Sequence, residues 1–169
     1  MKTEVTLAIV LIALLTIACS DKDADMQTYS EGCWRISLER HADTLYTLRL
    51  DMRETCVDSL TLPWPVYRFD CGDITGDGIP EVSIGVVKPT RYHPTPARRL
   101  FIFHLFDGRY LRPLWLGSRV GRPLRDFHVC RDSVPACIHT VESASDHTDI
   151  RCEYFWRGFG LQFRRYLSP

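Results

Sequence analysis

Asp73-Ile74-Thr75-Gly76-Asp77-Gly78-Ile79-Pro80-Glu81 carries oxygen side chains at its first, third, fifth and ninth positions and a glycine at its sixth. That is the layout of a chain wrapping a hard cation such as calcium, which draws its oxygen ligands from alternate positions of one short loop. Apolar, strand-like sequence flanks it: Val66-Tyr67-Arg68-Phe69 before, and Val82-Ser83-Ile84-Gly85-Val86-Val87 after. The loop therefore reads as a tight connection between two β-strands.

Strand signals continue on both sides. Trp34-Arg35-Ile36-Ser37-Leu38 and Leu45-Tyr46-Thr47-Leu48-Arg49-Leu50 alternate apolar and polar residues, which predicts a hairpin with one wet face. Met52 to Leu62 is less regular and is expected to hold one more short strand. Pro89, Pro94 and Pro96 mark Lys88 to Ala97 as a rigid, extended surface loop. Leu100, Phe101, Ile102, Phe103, Leu105 and Phe106 are apolar on both faces, so this strand must be covered on both sides. His104 within it is read as a packing residue. Asp107-Gly108 is the strongest short hairpin signal in the chain, with Arg109 to Leu116 as the returning strand. No helical periodicity longer than a turn or two is visible after the first 18 residues. The fold class is all-β, built from antiparallel hairpins.

A second unit echoes the first. Cys71 precedes Asp73 by two residues as Cys130 precedes Asp132, and Pro80 leads into a strand as Pro135 does. Leu105 to Leu111 has the shape of Phe155 to Leu161. Residues 67–118 and 125–167 are thus read as degenerate repeat units. In the second, the loop has shrunk to Asp132-Ser133-Val134-Pro135 and lost its oxygen ligands.

With its flanks, Phe69 to Gly85 resembles an FG-GAP or VCBS repeat of the kind found in integrin α-subunit propellers. The resemblance implies that Asp73, Thr75, Asp77 and Glu81 ligate calcium through side chains and Ile79 through its carbonyl. Gly78 would make the sharp turn. Thr75 stands where Asp or Asn is usual, which weakens the implied site. A closed propeller of this type needs several more blades than the chain can supply. The domain, residues 31–169, is therefore expected as an open stack of two to three blade-like sheets or as a compact sandwich, with the stack preferred. Such a chain can also close its edges by assembling with another chain. An ion-free turn of the same shape, its carboxylates capping backbone amides, is the alternative for the loop.

The N-terminus reads differently. Lys2 is followed by an apolar stretch from Val5 to Ala18, short for a membrane span and proportioned as a signal-peptide core. Leu15-Thr16-Ile17-Ala18-Cys19 resembles the lipobox of bacterial lipoproteins, although Thr16 sits where leucine is usual. The resemblance implies a signal peptide over residues 1–18 and lipidation of Cys19. It places the protein in the cell envelope as an outer-membrane lipoprotein, with the acidic run after Ser20 leaning toward surface exposure. Residues 19–30 are polar and aperiodic and read as a tether.

Formal charge is balanced, with 21 Lys and Arg against 21 Asp and Glu, which argues against a nucleic-acid partner. The balance is uneven, however. Acids predominate from Asp21 to Glu81 and arginines from Lys88 to Arg131, a segment able to attract anionic sugars or lipid headgroups. Trp64, Tyr92, Trp115 and Trp156 are candidates for exposed aromatics that a glycan or a partner would cover. Of the 7 cysteines, Cys33, Cys56, Cys71, Cys130, Cys137 and Cys152 remain when Cys19 is set aside. They allow up to three disulfides or buried free thiols, and no C-x-x-C pair gives zinc spacing.

Catalytic candidates are thin. His139, Glu142, Asp146 and His147 are close in sequence, but alternation sends His139 and Glu142 to opposite faces of a strand. His128 and Cys130 share a face without a third member. No catalytic residue is assigned. The leading functional class is a lipid-anchored envelope binding module that meets an envelope protein or an anionic glycan. An accessory structural subunit comes second and a cryptic hydrolase third.

Overall fold

Alternation and turn chemistry divide the chain into three meanders of four strands each. The computed structural model describes residues 26–117 and 120–168. Cys19 and the signal-like stretch lie outside the described residues. The first meander is β1 (Met26–Glu31), β2 (Trp34–Ala42), β3 (Leu45–Met52) and β4 (Thr55–Leu62). The second is β5 (Val66–Gly72), β6 (Glu81–Thr90), β7 (His93–Phe106) and β8 (Tyr110–Leu116). The third is β9 (Leu124–Cys130), β10 (Cys137–Ser143), β11 (Asp149–Trp156) and β12 (Leu161–Tyr166). Each forms its own antiparallel sheet with neighbours in chain order, and none closes into a barrel. The fold is all-β, and the described residues contain no helix.

Two hydrophobic cores set the layering. Ile36, Leu38, Leu48 and Leu50 of the first sheet pack with Val82, Ile84, Phe101, Phe103 and Leu105 of the second. On the opposite face of the second sheet, Leu100, Ile102 and Trp115 pack with Phe127, Val129, Ile138 and Tyr154 of the third. The second sheet is therefore the middle layer. This is why β6 and β7 read as near-continuous apolar runs while β3 alternates. The first strands of successive sheets touch, β1 against β5 and β5 against β9, and at the far edge of the first two sheets β4 meets β8.

Outward faces of the two end sheets are polar. On the first, Arg35 stands opposite Asp51, Ser37 opposite Arg49 and Glu39 opposite Thr47, with Arg49 ion-paired to Asp51. End layers of a stacked protein need such faces, since nothing further covers them.

Polar links hold the second sheet to the third along β5 and β9. Arg68 forks onto the Asp126 carboxylate. One Asp70 oxygen accepts the Val129 N–H at 2.7 Å, and the other pairs with Arg131. Burial alone would raise the Asp126 carboxyl, but the hydrogen bond from Arg68 overrides it and holds the group below its ordinary value. At Gly85 the Tyr67 ring lies where a side chain would stand, 2.6 Å from the position of an added Cβ.

The structure corrects three expectations. Met26–Glu31 falls in the stretch that composition reads as tether, yet it pairs with β2 in register from Met26↔Glu39 to Glu31↔Trp34. An edge strand needs little apolar surface to be ordered, and among its residues only Tyr29 packs on the core. The proline-rich stretch Lys88 to Ala97 is a protruding two-stranded extension of β6 and β7 rather than a loop, pairing Lys88↔Ala97 and Thr90↔His93. Extended backbone suits the proline φ angle, and Pro89 falls at the register shift where no ladder donor is required. Of the four aromatics expected at the surface, Trp115 is buried and Trp64 and Trp156 are partly buried against the cores. Tyr92 alone of them is exposed. Of the two alternatives left open for the cysteines, the structure takes the second, with Cys33, Cys56, Cys71, Cys130, Cys137 and Cys152 as free thiols. Cys71 and Cys152 serve as small apolar residues in the first and second cores.

Candidate metal loop and basic cleft

The Asp73 loop joins β5 to β6 and folds over toward the third sheet. The Ala136 N–H donates to the Asp73 carbonyl at 2.7 Å, and Pro135 packs on Gly76 so closely that an added Cβ would meet it at 2.9 Å. Gly76 and Gly78 both take positive φ, 84° and 82°, conformations that a side chain disfavours. The loop thus staples the middle sheet to its neighbour.

Its carboxylates are arranged from the inside outward. Glu81 is fully buried and accepts three hydrogen bonds, from the Ile74 N–H at 2.8 Å, the Thr75 N–H at 3.0 Å and the Thr75 hydroxyl at 3.1 Å. Burial pushes its carboxyl above the ordinary value, and these donors pull it part of the way back. Asp73 accepts from the N–H groups of Gly76, Asp77 and Gly78 at 2.6, 3.1 and 2.9 Å. Asp77 accepts from the Ile79 N–H at 2.9 Å.

Donor chemistry fits a hard cation. Two oxygens bound 2.3–2.6 Å from one calcium stand about 3 Å apart when adjacent in its shell. The Thr75 hydroxyl and Glu81 Oε1 are already at 3.1 Å. Asp77 and Glu81 bring a second carboxylate within 4.8 Å, together with the His104 ring nitrogen. His104 Nδ1 lies 3.5 Å from Glu81 Oε1, so this side chain belongs to the cluster and not merely to packing. Strand alternation could not reveal it, because His104 arrives from β7, a neighbour of β6 in the sheet. Of the expected ligands Asp73, Thr75, Asp77, Ile79 and Glu81, the structure gathers the Asp77 and Glu81 carboxylates beside His104, while the Asp73 carboxylate caps the loop's own amides, as the ion-free alternative has it.

A second feature lies between the base of the β6–β7 extension and the segment entering β9. His93, Arg98, Arg99, Leu100, Val120 and Arg122 help to line a cleft of about 280 Å³. No carboxylate is among its described lining residues. Arg112, Arg125 and Arg131 are paired with Asp58, Asp149 and Asp70, so the arginine-rich segment is partly neutralised in the fold. Arg98 stacks on Tyr67 with its guanidinium 4.8 Å from the ring centre and donates to the Arg125 carbonyl. The Arg99 Nε is buried and has no hydrogen-bond partner. Such a donor is costly to leave unmade.

The catalytic candidates of the third sheet are dispersed. Glu142 faces inward, accepting from the Thr140 hydroxyl and the Arg122 N–H, both at 2.7 Å. His139 faces outward, and Asp146 caps Thr148 in the β10–β11 loop. Comparison of the chain with protein-family models and with curated proteins finds no match in either.

Proposed function

We propose that this protein is a lipid-anchored binding module of the bacterial cell envelope. In this reading Cys19 carries the lipid, the stack of three β-sheets stands off the outer membrane, and calcium in the Asp73 loop fixes the middle sheet against the third. The ligand is an anionic glycan held in the basic cleft. The blade-like order of each sheet supports the kinship with FG-GAP and VCBS repeats that the loop motif implies.

The observation that carries the binding reading is the cleft, with its three arginines and no carboxylate among its described lining residues. A sulfate or carboxylate in the cleft would meet these guanidinium groups, and a hydrogen bond to a charged group contributes about 1.5–3 kcal/mol. Calorimetric titration with a sulfated oligosaccharide is therefore expected to show saturable binding, weakened about tenfold or more by Arg99→Gln or Arg122→Gln. A neutral oligosaccharide of the same length should not bind. Unchanged affinity in the double variant would remove the cleft from consideration. Metabolic labelling with a palmitate analogue checks the anchor, since Cys19→Ala is expected to abolish the label.

One observation favours the second reading, an accessory subunit of an envelope complex. The edge strand β12 and the turn before it expose Phe159, Phe163 and Tyr166, an apolar strip beside unpaired backbone. Elution as a monomer and capture of no envelope protein would count against it.

A further inference from the structure

The outward face of the third sheet carries a cluster that its role as an end layer does not require. Alternation places Cys130 and His128 on that face of β9, and Cys137 and His139 on the same face of β10. Pairing then sets Cys130 opposite Cys137 and His128 opposite His139. Glu153 of β11 stands opposite His139. Free thiols in this protein otherwise include Cys71 and Cys152, which are buried in apolar cores. Here two thiols, the half-buried Cys130 and the buried Cys137, gather outside both apolar cores, beside imidazole groups and the buried Glu153 carboxylate.

The spacing is that of ligands around one soft divalent ion. The Sγ atoms of Cys130 and Cys137 and a ring nitrogen of His139 lie within 4.8 Å of one another. The Cys137 Sγ to His139 Nε2 distance is 3.5 Å. With zinc–sulfur bonds of about 2.3 Å and zinc–nitrogen bonds of about 2.0–2.1 Å, a tetrahedral angle separates the two ligand atoms by about 3.6 Å. Glu153 Oε2 is 3.1 Å from the same Nε2, so the position now shared by a proton is the position a metal would take. Arg164 and Arg165 hold the Glu153 carboxylate in place, Arg165 reaching both of its oxygens. Thiolate and imidazole together select zinc over calcium or magnesium, which prefer oxygen.

We propose that Cys130, Cys137 and His139 form a zinc site, with Glu153 beside the fourth coordination position. The site is built across two strands of a hairpin. The ordinary C-x-x-C spacing rule, tuned to ligands within one turn, cannot detect it. Zinc binding requires both cysteines as thiolates, so two protons leave as each ion enters. The ion would tie β9 to β10 on the face away from the core.

The test is titration of the full chain, metal-free and reduced, with Co²⁺ and then Zn²⁺. One cobalt per chain is expected, with thiolate-to-cobalt charge-transfer absorption and the visible bands of tetrahedral cobalt, both bleached by one equivalent of zinc. Cys130→Ser and His139→Ala should each abolish these bands, and Glu153→Gln should weaken binding about 10–100-fold, as loss of a supporting carboxylate does elsewhere. Cys56→Ser, at an exposed thiol of the first sheet, should change nothing. A second measurement on the unaltered protein avoids dependence on variant folding. Zinc is expected to protect the half-buried Cys130, but not the exposed Cys56, from alkylation followed by peptide mass spectrometry. Absence of thiolate-to-cobalt absorption, retention of it in Cys130→Ser, or equal alkylation with and without zinc would each overturn the proposal.

Discussion

Glu81→Ala is expected to lower the unfolding free energy by about 3–5 kcal/mol, measured in urea with calcium chelated. The Glu81 carboxylate is fully buried and is the acceptor for the Ile74 and Thr75 N–H groups and the Thr75 hydroxyl. Each buried donor left without an acceptor costs about 1–3 kcal/mol, and the hydroxyl can turn away while the two amides cannot. Ile74 is itself buried in the second core, so water cannot reach its N–H without opening that core. Glu81→Gln keeps one oxygen acceptor and should cost less than half as much. Against a typical total of 5–15 kcal/mol, the alanine variant would be near the limit of folding. A loss under about 1 kcal/mol would mean that the loop amides find other partners and that Glu81 does not organise the loop.

Ile84→Ala and Ile102→Ala should be comparably severe, about 2–5 kcal/mol each. The two residues lie on neighbouring strands of the middle sheet but face opposite cores, Ile84 toward the first sheet and Ile102 toward the third. Both are fully buried. Only a three-layer arrangement makes both truncations expensive, since a two-layer sandwich would leave one of these faces in water. Chemical denaturation of each variant measures this directly, and a cost below about 1 kcal/mol at either position would contradict the layering.

Much of that layering was legible in the residues themselves. Leu100 to Phe106 is apolar on both faces, which demands cover on both sides, and the structure supplies it. Asp107-Gly108 announced its hairpin, and both residues adopt the left-handed conformation that such a turn needs. The turn before β4 was hidden for the converse reason. Arg53 and Glu54 take the same left-handed conformation, φ 47° and 67°, with side chains that carry no turn signal. The strand β1 was hidden because it is an edge, held by backbone pairing to β2 and not by an apolar face of its own.

The candidate sites divide in the same way. A loop that wraps an ion draws its ligands from consecutive positions, so the spacing of Asp73, Thr75, Asp77 and Glu81 is visible in one dimension. His104 beside Glu81 and the Cys130–Cys137–His139 cluster come together only through strand pairing, and Arg122 joins Arg98 and Arg99 in the cleft only through packing of the third sheet on the second. Alternation shows which face each side chain takes but not which strand lies beside it. Register, fixed here by Cys130↔Cys137 and His128↔His139, carries the missing information.

Thermal unfolding of the unaltered protein and of Asp77→Ala under rising calcium, with magnesium as control, bears most directly on the proposal that calcium fixes the Asp73 loop. A ligand bound only to the folded state stabilises it by about 2.7 kcal/mol at a hundredfold excess over Kd, which for a domain of this size raises Tm by roughly 5–10 °C. With Thr75 in place of a carboxylate or amide, affinity should fall in the weak class of extracellular calcium modules, near 10⁻⁴ M, so about 10 mM calcium reaches that excess. The expected result is a rise in Tm with calcium but not magnesium in the unaltered protein, and none in Asp77→Ala. Identical curves for the two proteins, or no gain from calcium over magnesium, would contradict it.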